Sequence, residues 1–191
     1  VLVRPVGSHG GHDLTVARTA DEVRRAVAAI RSDEVYLTEF VDFRSPDGLY
    51  RKLRLMFVGG RVFPFHLAIG EHWLVHYFRT QMATDATLRA EEAAFLHRPE
   101  EYLGPLVCAA LDAVQARVGL DYFGADAAID RDGKLVLFEC NATMLVRHAD
   151  RPAMFDYKRA PAARIRDAVS EMLDRAAAEK RWTSSTLRVG P

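Results

Sequence analysis

The sequence predicts an α+β fold, with antiparallel strands and helices set apart from them. Three observations predict it. Gly59-Gly60 and Asp132-Gly133 each stand between apolar runs of strand length, the short-range signature of an antiparallel hairpin. Helical spacing of apolar residues is concentrated in residues 84–118 and 155–178 rather than alternating one by one with strands. The 191 residues are 49% apolar and 27% charged, an ordinary globular composition with room for one sizeable domain or two small lobes.

Taken in order, residues 1–4 read as a short strand running into Gly7-Ser8-His9-Gly10-Gly11, too rich in glycine for helix or strand. Thr19-Ala20-Asp21-Glu22 is a capping box, in which the Thr19 hydroxyl takes an orphan backbone donor and Glu22 reaches back. The helix it opens carries Val23, Val27 and Ile30 on one face and ends near Ser32-Asp33. Residues 35–41 read as a strand. Ser45-Pro46-Asp47-Gly48 is turn chemistry leading into a strand over 50–58, which Gly59-Gly60 turns back along 61–69. Residues 73–82 read as strand and loop. Helices over 84–97 and 100–118 follow, the second expected to bury Leu106, Ala110, Leu111 and Val114. After Gly119 comes a second hairpin, 122–131 and 134–141. A last helix over 155–178 carries Ile165, Val169, Met172 and Leu173 on its apolar stripe, and 182–191 read as a loose tail. Tyr36, Phe40, Phe57, Phe63 and Phe65 read as core on strand faces.

Lys and Arg number 26, and so do Asp and Glu, so the basic footprint of a nucleic-acid partner is absent. No apolar run approaches the ~20 residues that span a bilayer, and neither a membrane span nor a signal peptide is expected from the residues given. Cys108 and Cys140 form no Cys-x-x-Cys pair and read as small buried hydrophobes, with a cytoplasmic setting expected. Val1 falls inside a run that reads as a strand already under way, so the chain is expected to be a piece of something longer.

The second hairpin carries the chemistry. With Asp132 and Gly133 as a two-residue turn, Arg131 pairs with Lys134, and counting back sets Asp126 opposite Glu139. Opposed residues share a face with Cβ atoms about 5 Å apart, and Asn141, two residues on, shares it too. Two carboxylates so placed repel, so either one is protonated or a cation is bound. An all-oxygen group of Asp, Glu and Asn suits Mg²⁺. The blander reading sets Asp126 at a solvated edge and has Asn141 cap a turn. The glycine loop is no Walker A sequence, because no Gly-Lys-Ser/Thr closes it, yet its backbone N–H groups can surround phosphates.

A strand ending in Arg-Pro, a glycine loop, a helix, the strand Tyr36-Leu37-Thr38-Glu39-Phe40-Val41 and the Asp…Glu-x-Asn hairpin resemble the ATP-grasp superfamily. The similarity spans nearly the whole chain, as in D-alanine–D-alanine ligases and glutamate ligases. The phrasing is closest to ATP-grasp domains attached to tetratricopeptide-repeat proteins. The resemblance implies a small glycine-loop and hinge lobe over 1–58, a metal-binding lobe over 59–181 and a tail over 182–191, with an N-terminal substrate domain missing. It implies that Asp126, Glu139 and Asn141 hold one or two Mg²⁺ bridging the phosphates of ATP. Arg4 stands where the family has a phosphate-contacting lysine. Ser8, His9, Gly10 and Gly11 would fold over the phosphates, and Glu39, Phe40 and Val41 would form the hinge at the adenine. Phe138 is the family's apolar adenine neighbour, although strand parity favours Leu137 facing the site. Arg54, and less directly Arg79, resemble residues that contact phosphate or an acyl intermediate.

Departures accompany the match. Gly124 stands where peptide ligases carry an arginine, no acid clearly matches the ribose position, and the lysine before the glycine loop is absent. The implied activity is a Mg²⁺- and ATP-dependent ligase joining a carboxylate to an amine through an acyl phosphate. The alternative is a regulatory or inactive nucleotide-binding module that works with a partner domain. A zinc pair at His72 and His76 requires a helix where Trp73-Leu74-Val75 reads as strand. No Gly-x-Ser-x-Gly supports a hydrolase.

Overall fold

A computed structural model describes residues 1–8, 11–32, 34–146 and 152–179. The chain divides into two compact units, Val1–Asp42 and Phe43–Pro191. Both are α+β with antiparallel sheets.

In the first unit, β1 (Leu2–Pro5) lies between β2 (Thr15–Val16) and β3 (Val35–Thr38), with Leu2 opposite both Val16 and Thr38. Helix α1 (Ala20–Ala29) starts where the capping box places it. Thr19 Oγ1 accepts from Glu22 N at 3.2 Å, while the Glu22 carboxylate reaches one residue further back and accepts from Arg18 N at 2.6 Å. None of its residues is buried, and Val27 is exposed, so the expected apolar face finds no deep core. The strand expected over 35–41 stops at Thr38; Glu39, Phe40 and Val41 have no regular structure, and Tyr36 is exposed rather than core.

The second unit is built on a four-stranded sheet in the order β5-β4-β6-β7: β4 (Tyr50–Val58), β5 (Arg61–Gly70), β6 (Tyr122–Ile129) and β7 (Leu135–Asn141). β4 pairs along its whole length with β5. Gly59 (φ 56°) and Gly60 (φ 82°) both take the left-handed backbone that a two-residue hairpin turn requires. One sheet face is apolar throughout: Leu53, Leu55, Phe57, Leu67, Ile69, Phe123 and Ala125 pack with residues of α2 (Ala86–His97) and α3 (Pro99–Val118). Asp85 caps α2, accepting from Thr87 N and Leu88 N.

Helix α3 breaks at Gly104 (φ 73°) and restarts at Pro105, which sets its phase. Its buried stripe is therefore Leu103, Val107 and Leu111, and Leu106, expected inside, is exposed. Residues 73–82 contain no strand; they form two 3₁₀ turns, Tyr77–Arg79 and Gln81–Ala83. The last helix begins as a 3₁₀ turn, Ala153–Lys158, and continues as α4 (Arg159–Ala178), which buries Ile165 and Ala168 and leaves Leu173 exposed. Cys140 is exposed and Cys108 half-buried, so neither is the buried hydrophobe expected. No described helix is long and apolar enough to cross a membrane. The tail expected over 182–191 lies outside the described residues.

Candidate functional site

The other face of this sheet is apolar at both ends and charged in the middle. At one end Tyr50, Ala68 and Ala128 pack with Phe43 and Val75. At the other, Met56 and Val58 pack with Met144, Ile165 and Ala168. Strand alternation leaves Lys52 and Arg54 between them on β4, with Asp126 opposite Arg54 on β6 and His66 opposite Arg54 on β5.

Asp126 pairs with Glu139, the register that the sequence predicts. The route to it differs. The turn has three residues, not two: Asp130 N donates to Lys134 O at 2.9 Å, Gly133 N to Asp130 O at 3.1 Å, and Asp130 Oδ1 accepts from Asp132 N and Lys134 N. That shifts the pairing by one, to Ile129 with Leu135, and an extra residue in β7 opposite the Asp126–Ala127 step shifts it back. The same bulge resets the alternation of side chains. The Phe138 ring lies 5.1 Å from that of Phe43, itself 5.0 Å from Tyr50, on the face that carries Asp126.

Asp126 is 4% exposed, so it stands at no solvated edge. The sequence reading left a choice between a proton and a bound cation; in the structure the positive charge comes from the neighbouring strand. Arg54 Nε and Nη2 donate to the two carboxylate oxygens at 2.6 and 2.8 Å, and Lys52 Nζ donates to Oδ2 at 3.1 Å. Burial raises the Asp126 pKa, but Arg54 and Lys52 outweigh it and hold the carboxyl below its usual range. Burial likewise opposes the charge on Arg54, and Asp126 with Glu139 restores it. Glu139 itself is exposed and has no hydrogen bond or ion pair among the described residues. Asn141 shows the blander behaviour: its Oδ1 accepts from Thr143 N and Oγ1, each at 2.8 Å, capping the turn after β7. Gly124 has a steric reason, since a Cβ there would fall 2.2 Å from Met144 Sδ and 2.7 Å from Met144 Cβ.

Arg54 is therefore part of the cluster, and Lys52 is a member that the sequence reading missed. Its signal was two cations at i and i+2 on one face of the strand, between Tyr50 and Met56 at the neighbouring positions of that face. Arg79 is exposed at the end of its 3₁₀ turn and makes no ion pair with the cluster. In the first unit, Gly7 (φ 79°) turns the chain after β1, and Ser8 N and Oγ donate to Pro5 O at 3.4 and 3.0 Å. Arg4 holds this turn, donating to Ser8 O at 3.3 Å while its guanidinium lies 4.9 Å over the Tyr36 ring. Gly11 is left-handed at φ 74°. His9 and Gly10 lie outside the described residues. Among the described residues no group of three or more His, Cys, Asp or Glu is placed to hold a metal ion, and His72 to His76 is not helical.

No protein-family model and no curated protein matches the sequence. Two solved structures are similar in fold. An L-amino acid ligase from Bacillus licheniformis is similar at 14% identity and a TM-score of 0.42, over 74% of this chain and 31% of the ligase. The macrocyclase MdnB from Microcystis aeruginosa MRC is similar at 18% identity and a TM-score of 0.35, over 81% of this chain and 46% of the macrocyclase. The chain spans less than half the length of either. The likeness is one of outline.

A second polar group, also missed, lies beside the first. Glu92 on α2 is fully buried and accepts from Leu67 N (3.0 Å), Tyr77 Oη (2.8 Å) and Tyr157 Oη (2.6 Å), with Lys158 Nζ at 2.5 Å. Lys158 also donates to Tyr77 Oη at 2.7 Å and lies 4.1 Å over its ring. Every donor is matched, which is what a buried acid requires. The only hint in the sequence is an acid on the stripe Leu88, Glu92, Phe95, Leu96.

His66 lies between the two groups, its ring 5.1 Å from Tyr77. Burial, then Arg54 and Lys158, with Lys52 adding and Asp126 opposing, holds its imidazole well below the ordinary 6.5. Above pH 6.5 it is neutral folded or unfolded; below, the unfolded chain takes up a proton that the folded one refuses. Stability is therefore lost as pH falls from there, by up to ~1.4 kcal/mol per pH unit until His66 titrates in the fold. Urea unfolding at pH 7.5 and 5.5 should show this loss in the wild type and a smaller one in His66→Gln; equal losses would place His66 in contact with water.

Proposed function

We propose that this chain is the ATP-binding part of an ATP-grasp ligase that joins a carboxylate to an amine through an acyl phosphate. The observation that carries the reading is Asp126 opposite Glu139 in the charged strip between two apolar clusters of one sheet face. The donors fit a hard divalent ion: Asp126, Glu139 and Asn141 offer oxygen only, and the Glu139 carboxylate is unpaired among the described residues. Mg²⁺ bound there would neutralise the phosphates of ATP and the charge that develops on the transferring phosphoryl group.

The protein's own residues do the rest. Arg54 and Lys52 supply fixed positive charge for anionic oxygens next to the acids. Arg4, Ser8, His9, Gly10 and Gly11 keep the phosphate role that the resemblance gives them, and Glu39, Phe40, Val41 and Phe138 the adenine role. A substrate-binding domain N-terminal to this segment, and a cytoplasmic setting, belong to the same proposal. One observation favours the non-catalytic alternative: Arg54, expected to contact phosphate or an acyl intermediate, is bound to Asp126.

Isothermal titration with Mg·ATP tests the binding step. Heat should appear with divalent ion, vanish in chelator and vanish in Glu139→Ala; heat that persists in chelator would overturn the metal reading. ADP release with pools of carboxylates and amines separates ligase from module. Binding without turnover under every pairing would leave only the module.

A further inference from the structure

Asp126 has two oxygens and both are taken. Oδ1 accepts from Arg54 Nε at 2.6 Å, and Oδ2 accepts from Arg54 Nη2 at 2.8 Å and Lys52 Nζ at 3.1 Å. A divalent ion arriving alone would meet two cations and be repelled by both, the more strongly because the site is partly withdrawn from water. The repulsion falls away only if something anionic takes Lys52 and Arg54 over. Both side chains project from the same face of β4, two residues apart, and both are long and partly exposed, at 17% and 26%. Rotamer changes alone can swing them off Asp126, with no movement of the strand. Lys52 is the looser of the two: it makes one contact at 3.1 Å, while Arg54 grips with two nitrogens.

Resting on the nucleotide reading above, we propose that Lys52 and Arg54 are resident countercations of Asp126, and that they pass to the nucleotide phosphates as a divalent ion takes their place. The two ligands then bind as a coupled pair. Each tightens the other by the same factor, because coupling free energy is reciprocal. Lys52 sets the size of that factor: it both obstructs the ion when no nucleotide is present and rewards the phosphates when one is.

The test is Mn²⁺ binding to the full chain, read as free Mn²⁺ by electron paramagnetic resonance, with and without a β,γ-methylene analogue of ATP, each series corrected by a protein-free titration because the analogue chelates Mn²⁺ by itself. Wild type should bind Mn²⁺ weakly alone and at least about tenfold more tightly with the analogue, within the usual range of coupling between sites. Lys52→Met should bind Mn²⁺ alone several-fold more tightly than wild type and gain less from the analogue. Lys52→Arg, which keeps the charge, should restore the gain, and thermal melts of both variants confirm that they fold. Equal Mn²⁺ affinity with and without analogue, together with loss of Mn²⁺ in Glu139→Gln, would overturn the exchange and leave the metal site standing. An undiminished gain in Lys52→Met would overturn the part given to Lys52. No Mn²⁺ bound by wild type in either condition would overturn the metal reading and the exchange together.

Discussion

Replacing Glu92 with leucine is expected to cost about 3–5 kcal/mol of stability, the usual loss when one member of a buried ion pair is removed. The carboxylate is fully buried and serves four donors, so the substitution takes one acceptor from the Lys158 ammonium, two phenol hydroxyls and the Leu67 amide together. The group ties α2, β5 and the 3₁₀ turn before α4 to one another, and its loss is felt in all three. Urea unfolding should show a lower midpoint with an unchanged slope, the mark of altered stability rather than altered compactness. Adding Lys158→Met to Glu92→Leu should return part of the loss, because the stranded charge goes with it. A cost below about 1 kcal/mol for the single variant would mean that water reaches Glu92.

The second large effect separates two acids that face each other. Asp126→Ala leaves Arg54 and Lys52 without their carboxylate, and since both keep some exposure the expected cost is about 2–3 kcal/mol, less than for a fully buried pair. Metal-dependent nucleotide binding should be lost with it. Glu139→Ala should lose the same binding while changing stability by no more than about 0.5 kcal/mol, since its side chain is exposed and unpaired among the described residues. Thermal melts and titration calorimetry on the two variants check both halves. If Asp126→Ala melts like wild type, the ion-pair cluster contributes nothing to the fold. If Glu139→Ala binds like wild type, the carboxylate pair is not a ligand site.

The hairpin that unites these acids shows how far local pattern reaches. Asp132-Gly133 correctly announced a hairpin and correctly set Asp126 opposite Glu139, but by an offset at the turn that a bulge near Phe138 undoes. The turn offset has a legible cause, since Asp130 organises the loop through its own carboxylate. The bulge has none in the sequence. It also explains why Phe138, which strict alternation turned away, lies with Phe43 on the face that carries Asp126. In α3 the kink at Gly104 reset the helical phase, so Leu106 emerged where Val107 went in.

Consecutive residues were enough to determine the α+β class, the hairpins at 59–60 and 132–133, the α1 cap and the opposition of the two acids, because turn chemistry and alternation act between near neighbours in the chain. What lies beside Asp126 was decided only by the tertiary structure. Lys52 and Arg54 are 74 and 72 residues away and meet it because β4, not another strand, pairs with β6. That choice follows from burying whole sheet faces against α2, α3 and α4, a free energy that no single segment carries. It is also what turned a pair of repelling acids into a neutralised cluster before any ligand arrives.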